Sequence, residues 1–356
     1  LDRLYQQAAR WYDLLQVLER QVELAGASAE GIDLKHRIGK LWENELGDLT
    51  RAVETYREVL TTDPMHDDTL AALDAIVHGE EEPVMAAQVL EPVYEQSLEW
   101  EKLIDLYEVM VKNVDDPYRK LELLHKIAEL YEIRVEDSNS AFEAHGRALQ
   151  EDNADETSLA HLERLAGEIT GWEALAKLYE GELEKMLDPM RQSEMGLRVA
   201  RVYEEEMGQP ERAIEHFKQV LEVDMDNRDA ILSLDRLYVE GGMWEDLVEI
   251  LRREIRMADT EQEIIDLQFR LGQLYQEQLA DLGSAIVCYR EILAATPDHS
   301  PSVTSLELLF VDGQHQLEIA EILEPLYWMG EQWVKLVKIM EVQLEKMEVV
   351  FDKVLA

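Results

Sequence analysis

The sequence predicts an all-α protein built as a solenoid of antiparallel helix pairs. The prediction depends on two observations: a fixed spacing between tryptophan and alanine, and apolar residues three and four positions apart around each alanine. Four tryptophans each precede an alanine by 41 residues, and the pairs are Trp11 and Ala52, Trp100 and Ala141, Trp172 and Ala213, and Trp244 and Ala285. Because a spacing that recurs over this distance indicates a duplicated unit, we interpret the chain as a repeat array.

The repeats divide the chain into modules that follow one another without linkers. We place the modules at approximately 11–99, 100–171, 172–243 and 244–332, with a partial module at 333–356, in a single continuous solenoid. The alanines at 141, 213 and 285 are 72 residues apart, which is about two helix pairs. The step from 52 to 141 is 17 residues longer, and it predicts an extra helix near 84–98, with a similar one near 317–330.

A longer repeat contains these modules. The two extra segments lie 233 residues apart, as do Trp11 and Trp244, and Leu-Asp-Arg-Leu-Tyr occurs at both 1–5 and 234–238. The chain is therefore about one and a half copies of a super-repeat of 233 residues, with about twenty helices at ordinary helix lengths. It starts at Leu1 without a methionine, and we expect it to be part of a longer chain or larger assembly.

Equivalent positions in the modules predict how the helices pack. Ten residues before each alanine stands an aromatic: Trp42, Tyr131, Tyr203 and Tyr275. Four residues after each alanine stands a second ring: Tyr56, His145, Phe217 and Tyr289. Upstream of the first aromatics come small residues: Gly39, Ala128, Ala200 and Gly272. We expect the small residues to allow close helix approach, and the rings and tryptophans to fill the space between helices.

This pattern resembles the tetratricopeptide repeat (TPR) family. The family motif has a Gly or Ala and then an aromatic in helix A, followed in helix B by Ala, an aromatic four residues on and a closing proline. The matching residues are Ile38-Gly39-Lys40-Leu41-Trp42 with Ala52, Tyr56 and Pro64, and Leu271-Gly272-Gln273-Leu274-Tyr275 with Ala285, Tyr289 and Pro297. The resemblance implies a right-handed superhelix whose A helices face an inner groove. The gap from the helix A aromatic to the alanine is one residue longer than the family's usual spacing.

Composition excludes several classes of partner. The 77 acidic residues outnumber the 34 basic ones and give a net charge of −43, which argues against nucleic acid and anionic membrane surfaces and favours a basic protein or peptide. No apolar run is long enough to insert into a membrane. The one cysteine, Cys288, cannot form an internal disulfide, so a reducing, cytoplasmic location is the default expectation.

Motifs for catalysis or cofactor binding are missing from the sequence. It contains no phosphate-binding loop, GxGxxG, GxSxG or HExxH, so we expect no enzyme activity, no cofactor and no metal site. His66 and His299 are each interpreted as part of a turn, followed by an Asp or Ser that caps the next helix. Cys288 is interpreted as a packed thiol. The segment 224–229 begins like a calcium loop but lacks its central glycine and closing glutamate.

A recurring cation is the candidate partner-binding feature. One stands directly before each helix A apolar residue, at Arg37, Lys126, Arg198 and Arg270. Two more candidates, Lys40 and Arg201, stand three residues after Arg37 and Arg198. In the TPR family, positions near these bind peptide carboxylates in the groove. The alternative is pairing with an acid four residues earlier on the same helix, at Asp33, Glu122, Glu194 and Asp266. The family's chaperone-tail clamp is disfavoured, because Lys40 and Arg201 stand where it uses asparagine.

The sequence therefore predicts a non-catalytic scaffold that binds a basic partner protein or peptide through its groove or acidic surface. The alternative is a regulatory or accessory segment of a larger multidomain enzyme or assembly. A third hypothesis is an array that uses its excess carboxylates to respond to calcium.

Overall fold

The chain folds into α-helices in the computed structural model, which describes residues 2–355 and their side chains as far as Glu345. Twenty α-helices and no strand occur within residues 2–355, so the predicted all-α repeat fold is confirmed. The helices fall into two compact units, divided between Lys185 and Met186. A single continuous solenoid with a right-handed superhelix stays a prediction, as do the module boundaries. No helix in the described part of the chain combines the length and apolarity needed to cross a bilayer.

The first unit contains eleven helices, each packed against the next. They are α1 (Asp2–Gln7), α2 (Trp11–Ala25), α3 (Ala29–Leu41), α4 (Leu49–Thr62), α5 (Asp67–Val77), α6 (Pro83–Ser97), α7 (Trp100–Asn113), α8 (Pro117–Leu130), α9 (Ser138–Glu151), α10 (Glu156–Ile169) and α11 (Trp172–Leu183). Helix α6 is the extra helix predicted near 84–98, and it packs between α5 and α7.

The second unit contains nine helices. They are α12 (Pro189–Arg201), α13 (Pro210–Val223), α14 (Arg228–Gly241), α15 (Trp244–Met257), α16 (Glu261–Glu277), α17 (Leu282–Ala295), α18 (Ser300–Val311), α19 (Gln316–Met329) and α20 (Trp333–Leu355). Helix α19 is the second extra helix, predicted near 317–330. The recurring tryptophans each begin a helix, and the first four of them, at 11, 100, 172 and 244, are partly buried.

Three helix A segments end in a π-helical turn, which explains the extra residue in their spacing. The turns are Trp42–Leu46, Tyr131–Val135 and Val202–Glu206. A π turn adds one residue to a helix without ending it. The amide of Asp48 then donates to the carbonyl of Trp42 at 3.0 Å, and Asp137 makes the same bond to Tyr131 at 2.9 Å. The longer spacing is thus absorbed locally, and the next helix still packs against its partner.

The repeated alanines and rings lie in the core, as predicted. Ala52, Ala141, Ala213 and Ala285 are completely buried, and the rings four residues later are at most 3% exposed. Gly39 lies against the ring of Tyr56, where an added Cβ would come within 2.3 Å of Cε1. Gly272 meets Tyr289 in the same way, at 2.7 Å. The modules with a helix B tyrosine therefore need glycine, whereas those with His145 or Phe217 carry alanine.

Side chains cap several of the helices at their first turns. Asp48, Asp137 and Asp281 accept hydrogen bonds from backbone amides in the first turns of α4, α9 and α17. The prediction for His66 was wrong in one respect: the imidazole itself caps α5, and its Nδ1 accepts from the amide of Thr69 at 3.2 Å. In the segment that begins like a calcium loop, Asn227 caps α14 by accepting from the amide of Ala230 at 3.0 Å.

Candidate functional site

Three of the four recurring cations, Arg37, Lys126 and Arg270, are paired with carboxylates on an earlier helix. Arg270 donates two hydrogen bonds of 2.8 Å to Asp235, and Lys126 lies 3.2 Å from Glu91. Arg37 lies 2.9 Å from Asp2 in the same relation. Each acid precedes its cation by 35 residues, a spacing that places it on the preceding helix pair. Pairs between helices, rather than within one helix, are thus the common feature.

The predicted pairing with an acid four residues earlier applies only in part. Lys126 does reach Glu122, at 3.9 Å. Among the described side chains, however, Asp33 instead lies 3.4 Å from His66, and Asp266 accepts a hydrogen bond from Gln262 at 2.9 Å. Pairing within the helix therefore does not explain why the cation recurs.

The remaining candidate cations lie at or near the surface. Lys40 is exposed on α3, and Arg201, which ends α12, lies 2.8 Å from Asp229 of α14. Arg198 is partly buried on α12. The six candidates therefore differ in environment, and their role in binding a partner stays a prediction.

The second unit contains a small cavity between α14, α15 and α16, with a volume of about 270 Å³. Its walls are apolar where Ile231, Met257 and Leu267 line it. Carboxylates from all three helices also face it: Asp235, Glu254 and Glu263, together with the guanidinium groups of Arg228 and Arg270. We call this space the Glu254 cavity. Asp235 is hydrogen-bonded to Arg270, whereas one carboxylate oxygen of Glu254 has no hydrogen-bond partner among the described residues.

Glu254 is a partly buried carboxylate with an unused oxygen. Among the described residues, its Oε1 is buried and makes no hydrogen bond. Burial raises the pKa of Glu254 to about 7, and the negative charge of Asp235 adds to the rise, while Arg270 opposes it. The group thus changes charge near neutral pH, and a cation placed against it would favour the charged form.

The equivalent positions in other modules show what else fits there. Ten residues after each module tryptophan stand Gln21, Met110, Glu182 and Glu254. Met110 is buried, and Glu182 is buried but has its own partner, the ammonium of Lys185 at 2.7 Å. The position therefore accepts apolar, amide and acidic side chains of similar length, and Glu254 lacks the internal partner that Glu182 has.

Sequence reasoning missed these acids although signals for them exist. Glu254 follows Leu247 and Leu251 at helical spacing, so an acid occupies the apolar stripe of α15. Asp2 and Asp235 are the same residue of the repeated Leu-Asp-Arg-Leu-Tyr. Their partners, Arg37 and Arg270, are also 233 residues apart. Comparing charges across the super-repeat would have found the pair.

Cys288 lies in α17 as a buried, free thiol, as predicted. Its side chain borders a separate cavity that Arg252 and Tyr275 also line. Burial raises the pKa of the thiol to about 11, so the thiolate is scarce at neutral pH. This environment suits a packing role and not a nucleophile.

Comparison with known proteins identifies repeats in the second unit. A family model described as tetratricopeptide repeat matches residues 197–231 and 230–263. A second model with the same description matches residues 265–299. These matches cover α13 to α17, and α14, α15 and α16 among them line the Glu254 cavity. No curated protein matches the chain.

Several solved structures are similar to the chain at low identity. YrrB, described as a TPR protein with an unusual peptide-binding site, is 14% identical over 51% of this chain and 90% of its own, with a TM-score of 0.30. The human IFIT1 dimer with m7Gppp-AAAA is 17% identical over 97% and 80%, with a TM-score of 0.30. Naa15/Naa10 bound to HypK-THB is 15% identical over 95% and 52%, with a TM-score of 0.34. With TM-scores this low, the ligands of these proteins carry no argument about this chain.

Proposed function

Because the chain belongs to the tetratricopeptide repeat family, we propose that it is a non-catalytic protein-interaction scaffold whose partner presents a basic segment. Internal pairing of the cations supports a basic partner. The ion pairs Arg37–Asp2, Lys126–Glu91 and Arg270–Asp235 are each neutral, so the net charge of −43 resides in the remaining carboxylates. A partner carboxylate would have to displace an internal acid, whereas a partner cation meets a large acidic excess.

The Glu254 cavity is the place where we propose that a basic side chain anchors. A lysine or arginine can lay its aliphatic stem along Ile231, Met257 and Leu267, with its charged end at the unused oxygen of Glu254. The cation would stabilise the ionised carboxylate and replace the missing hydrogen bond. This unused, buried oxygen is the observation that carries the proposal.

The test is a binding titration of the full chain with an otherwise neutral peptide that carries one arginine. We expect saturable binding that weakens with added salt, and a loss of roughly tenfold or more in affinity on Glu254→Gln. Gln21 shows that an amide of this size occurs at the equivalent position. The affinity of the unmodified chain should also rise from pH 6 to 8, because Glu254, with its pKa of about 7, loses its proton in that range.

Matched variants separate the anchor from general charge. Glu182→Gln removes the equivalent carboxylate in the first unit, which already has Lys185 as its partner, and should leave binding unchanged. A peptide with citrulline in place of arginine has the same shape without the charge, and it should not bind. Equal binding by the unmodified chain and Glu254→Gln, or equal binding of both peptides, would refute the anchor.

The candidate cations remain a second proposal for partner contact. Lys40 is exposed and Arg201 carries only a surface pair, so these two can engage a partner carboxylate with the least disruption. Charge reversal at Lys40 and Arg201 should lower the affinity for an acidic peptide and leave the affinity for the arginine peptide unchanged. If the charge reversal leaves the affinity for the acidic peptide unchanged and alters that for the arginine peptide, Lys40 and Arg201 do not bind a partner carboxylate. Calorimetry with calcium tests the responsive-array hypothesis on the same sample, and an absence of heat would dismiss it.

A regulatory segment within a larger enzyme stays the alternative function. The scaffold chemistry proposed above would then hold a basic segment of a neighbouring domain or subunit. The arginine-peptide titration is informative in both cases, because it measures the site and not the identity of the partner.

A further inference from the structure

A second cluster of polar side chains lies in the first unit, away from the Glu254 cavity. It contains Glu132 from the π turn Tyr131–Val135, His145 from α9 and His161 from α10. One oxygen or nitrogen atom of each side chain lies within 4.8 Å of the others. Glu132 Oε2 is 3.3 Å from His161 Nδ1, and the rings of His145 and His161 stack with their centroids 4.6 Å apart. Three groups that metal ions bind thus converge from three consecutive elements.

His145 is the member that packing alone does not explain. The residue is 3% exposed, and its Nδ1 is buried without a hydrogen-bond partner among the described residues. A buried polar nitrogen with no partner is unfavourable, because it has lost its hydrogen bond to water without a replacement. His125 lies on the other side, with ring centroids 6.0 Å apart, but its Nε2 is already engaged by Asp155 at 2.7 Å. A bound cation would give the unused nitrogen a partner.

The other modules show that the fold does not require these histidines. At the position of His145 they have Tyr56, Phe217 and Tyr289. At the position of His161, sixteen residues later, they have Ala72, Ser233 and Ser305. Only the module at 100–171 combines two histidines with the glutamate in this arrangement. Smaller or apolar side chains therefore satisfy the same packing elsewhere in the chain.

We propose that Glu132, His145 and His161 form a binding site for a divalent transition metal ion, with Zn²⁺ as the best match. Two imidazoles and one carboxylate are ligands that Zn²⁺ accepts at about 2.0–2.2 Å, and three protein ligands leave a fourth position open. Ligand atoms around such an ion are about 3.3 Å apart, so the 4.8 Å cluster closes by side-chain rotation. The acidic chain attracts cations to this surface.

Arg164 is the group that must move when the ion binds. Its guanidinium donates to Glu132 Oε1 at 2.6 Å and contacts His161 Nδ1 at 3.0 Å, so it occupies the space between two ligands. It also donates to Glu168 at 2.6 Å, one helical turn further along α10. Arg164 can therefore stay paired with Glu168 while Glu132 and His161 turn to the metal. The site is built so that the arginine and the metal ion compete for it.

The test is calorimetric titration of the full, chelator-treated chain with ZnCl₂, with Ca²⁺ as the comparison ion. We expect one Zn²⁺ site, a raised melting temperature on binding and little response to Ca²⁺. His161→Ser, which copies Ser233 and Ser305, should weaken Zn²⁺ at least about tenfold and abolish the melting shift. Arg164→Gln should raise the affinity for Zn²⁺, because it removes the positive charge that competes with the ion for Glu132 and His161. A folding defect would not produce opposite effects in the two variants.

Two further measurements make the result decisive. Co²⁺ in place of Zn²⁺ should give a visible ligand-field spectrum that His161→Ser and His145→Phe both lose, the second variant copying Phe217. His78→Ser changes an exposed histidine that pairs with Asp105 at 2.9 Å, and it should keep the affinity. Zn²⁺ binding that is equal in His161→Ser and the unmodified chain, or no saturable binding at all, would overturn the proposal.

Discussion

In the module at 11–99 the ring four residues after the alanine belongs to Tyr56, whereas in the module at 100–171 it belongs to His145. Tyr56 donates its hydroxyl to Glu43 at 2.6 Å. His145 has no hydroxyl, and Glu132, the equivalent of Glu43, instead accepts from Arg164 at 2.6 Å. Glu43 is thus hydrogen-bonded to the ring of its own repeat, whereas Glu132 is paired with an arginine of the following helix, α10. The difference teaches that the ring at this core position decides which partner the equivalent acid has.

The second unit repeats the comparison. Tyr289 donates to Gln276 at 2.8 Å, as Tyr56 does to Glu43. Phe217 has no hydroxyl to donate, and the equivalent acid, Glu204, lies 2.6 Å from Arg236. Arg236 and Arg164 follow their rings by the same 19 residues. The repeat therefore pairs the residue after the helix A aromatic in two ways. A tyrosine in helix B donates its hydroxyl to that residue, and where helix B has His145 or Phe217, an arginine of the next helix pairs with it.

The largest effect is expected where the tyrosine meets glycine. Gly39→Ala places a Cβ 2.3 Å from the fully buried ring of Tyr56, and it should lower the free energy of unfolding by about 2–3 kcal/mol. In a Tyr56→His background, which copies the pair Ala128 and His145, Gly39→Ala should instead stabilise by up to about 1 kcal/mol through helix propensity. Chemical denaturation of the four proteins of this cycle measures the coupling.

Gly181→Ala is the matched control, because an added Cβ there meets nothing within 4 Å in helix α11. It should stabilise by about 0.5–1 kcal/mol. If Gly39→Ala is as harmless as Gly181→Ala, the close approach of α3 to Tyr56 does not exist.

The spacing of tryptophan, alanine and aromatic residues predicted the helix pairs because core residues recur at fixed places on each helix. It also predicted α6 and α19, since an added helix lengthens the step between alanines. The ion pairs were not predicted, because Arg270 finds Asp235 through the geometry of neighbouring helix pairs and not through local spacing. Glu254 and His145 were missed for a related reason. Their character depends on which partners are absent once the helices pack, and spacing alone does not report that.

The second expected effect concerns the hydroxyl itself. Tyr56→Phe keeps the ring and removes the hydrogen bond to Glu43, and it should lower the free energy of unfolding by about 1 kcal/mol. Tyr289→Phe removes a bond to the neutral amide of Gln276 and should have a smaller effect, because bonds to ionised acceptors are stronger. Denaturant midpoints of the two variants at pH 7 test the order. Equal losses would show that the charge of Glu43 adds nothing to the bond.

The smallest effect is expected at the residue that follows the π turn. Gly47 holds φ +65° there in the module at 11–99, and Glu136 holds φ +61° at the equivalent place in the next module. A left-handed conformation is strained for a residue with a Cβ, so Glu136→Gly should raise the free energy of unfolding by about 0.5–1 kcal/mol. The gain is limited because glycine also increases the freedom of the unfolded chain.

A change in the opposite sense provides the control for that prediction. Gly47→Ala adds a Cβ that meets no atom within 4 Å, so its loss of stability comes from the backbone conformation. Ala280 occupies the same position before α17 with φ +52°, and Ala280→Gly should reproduce the gain seen for Glu136→Gly without removing a charge. Opposite signs for Glu136→Gly and Ala280→Gly would mean that the carboxylate of Glu136, and not its backbone conformation, decides the stability of this turn.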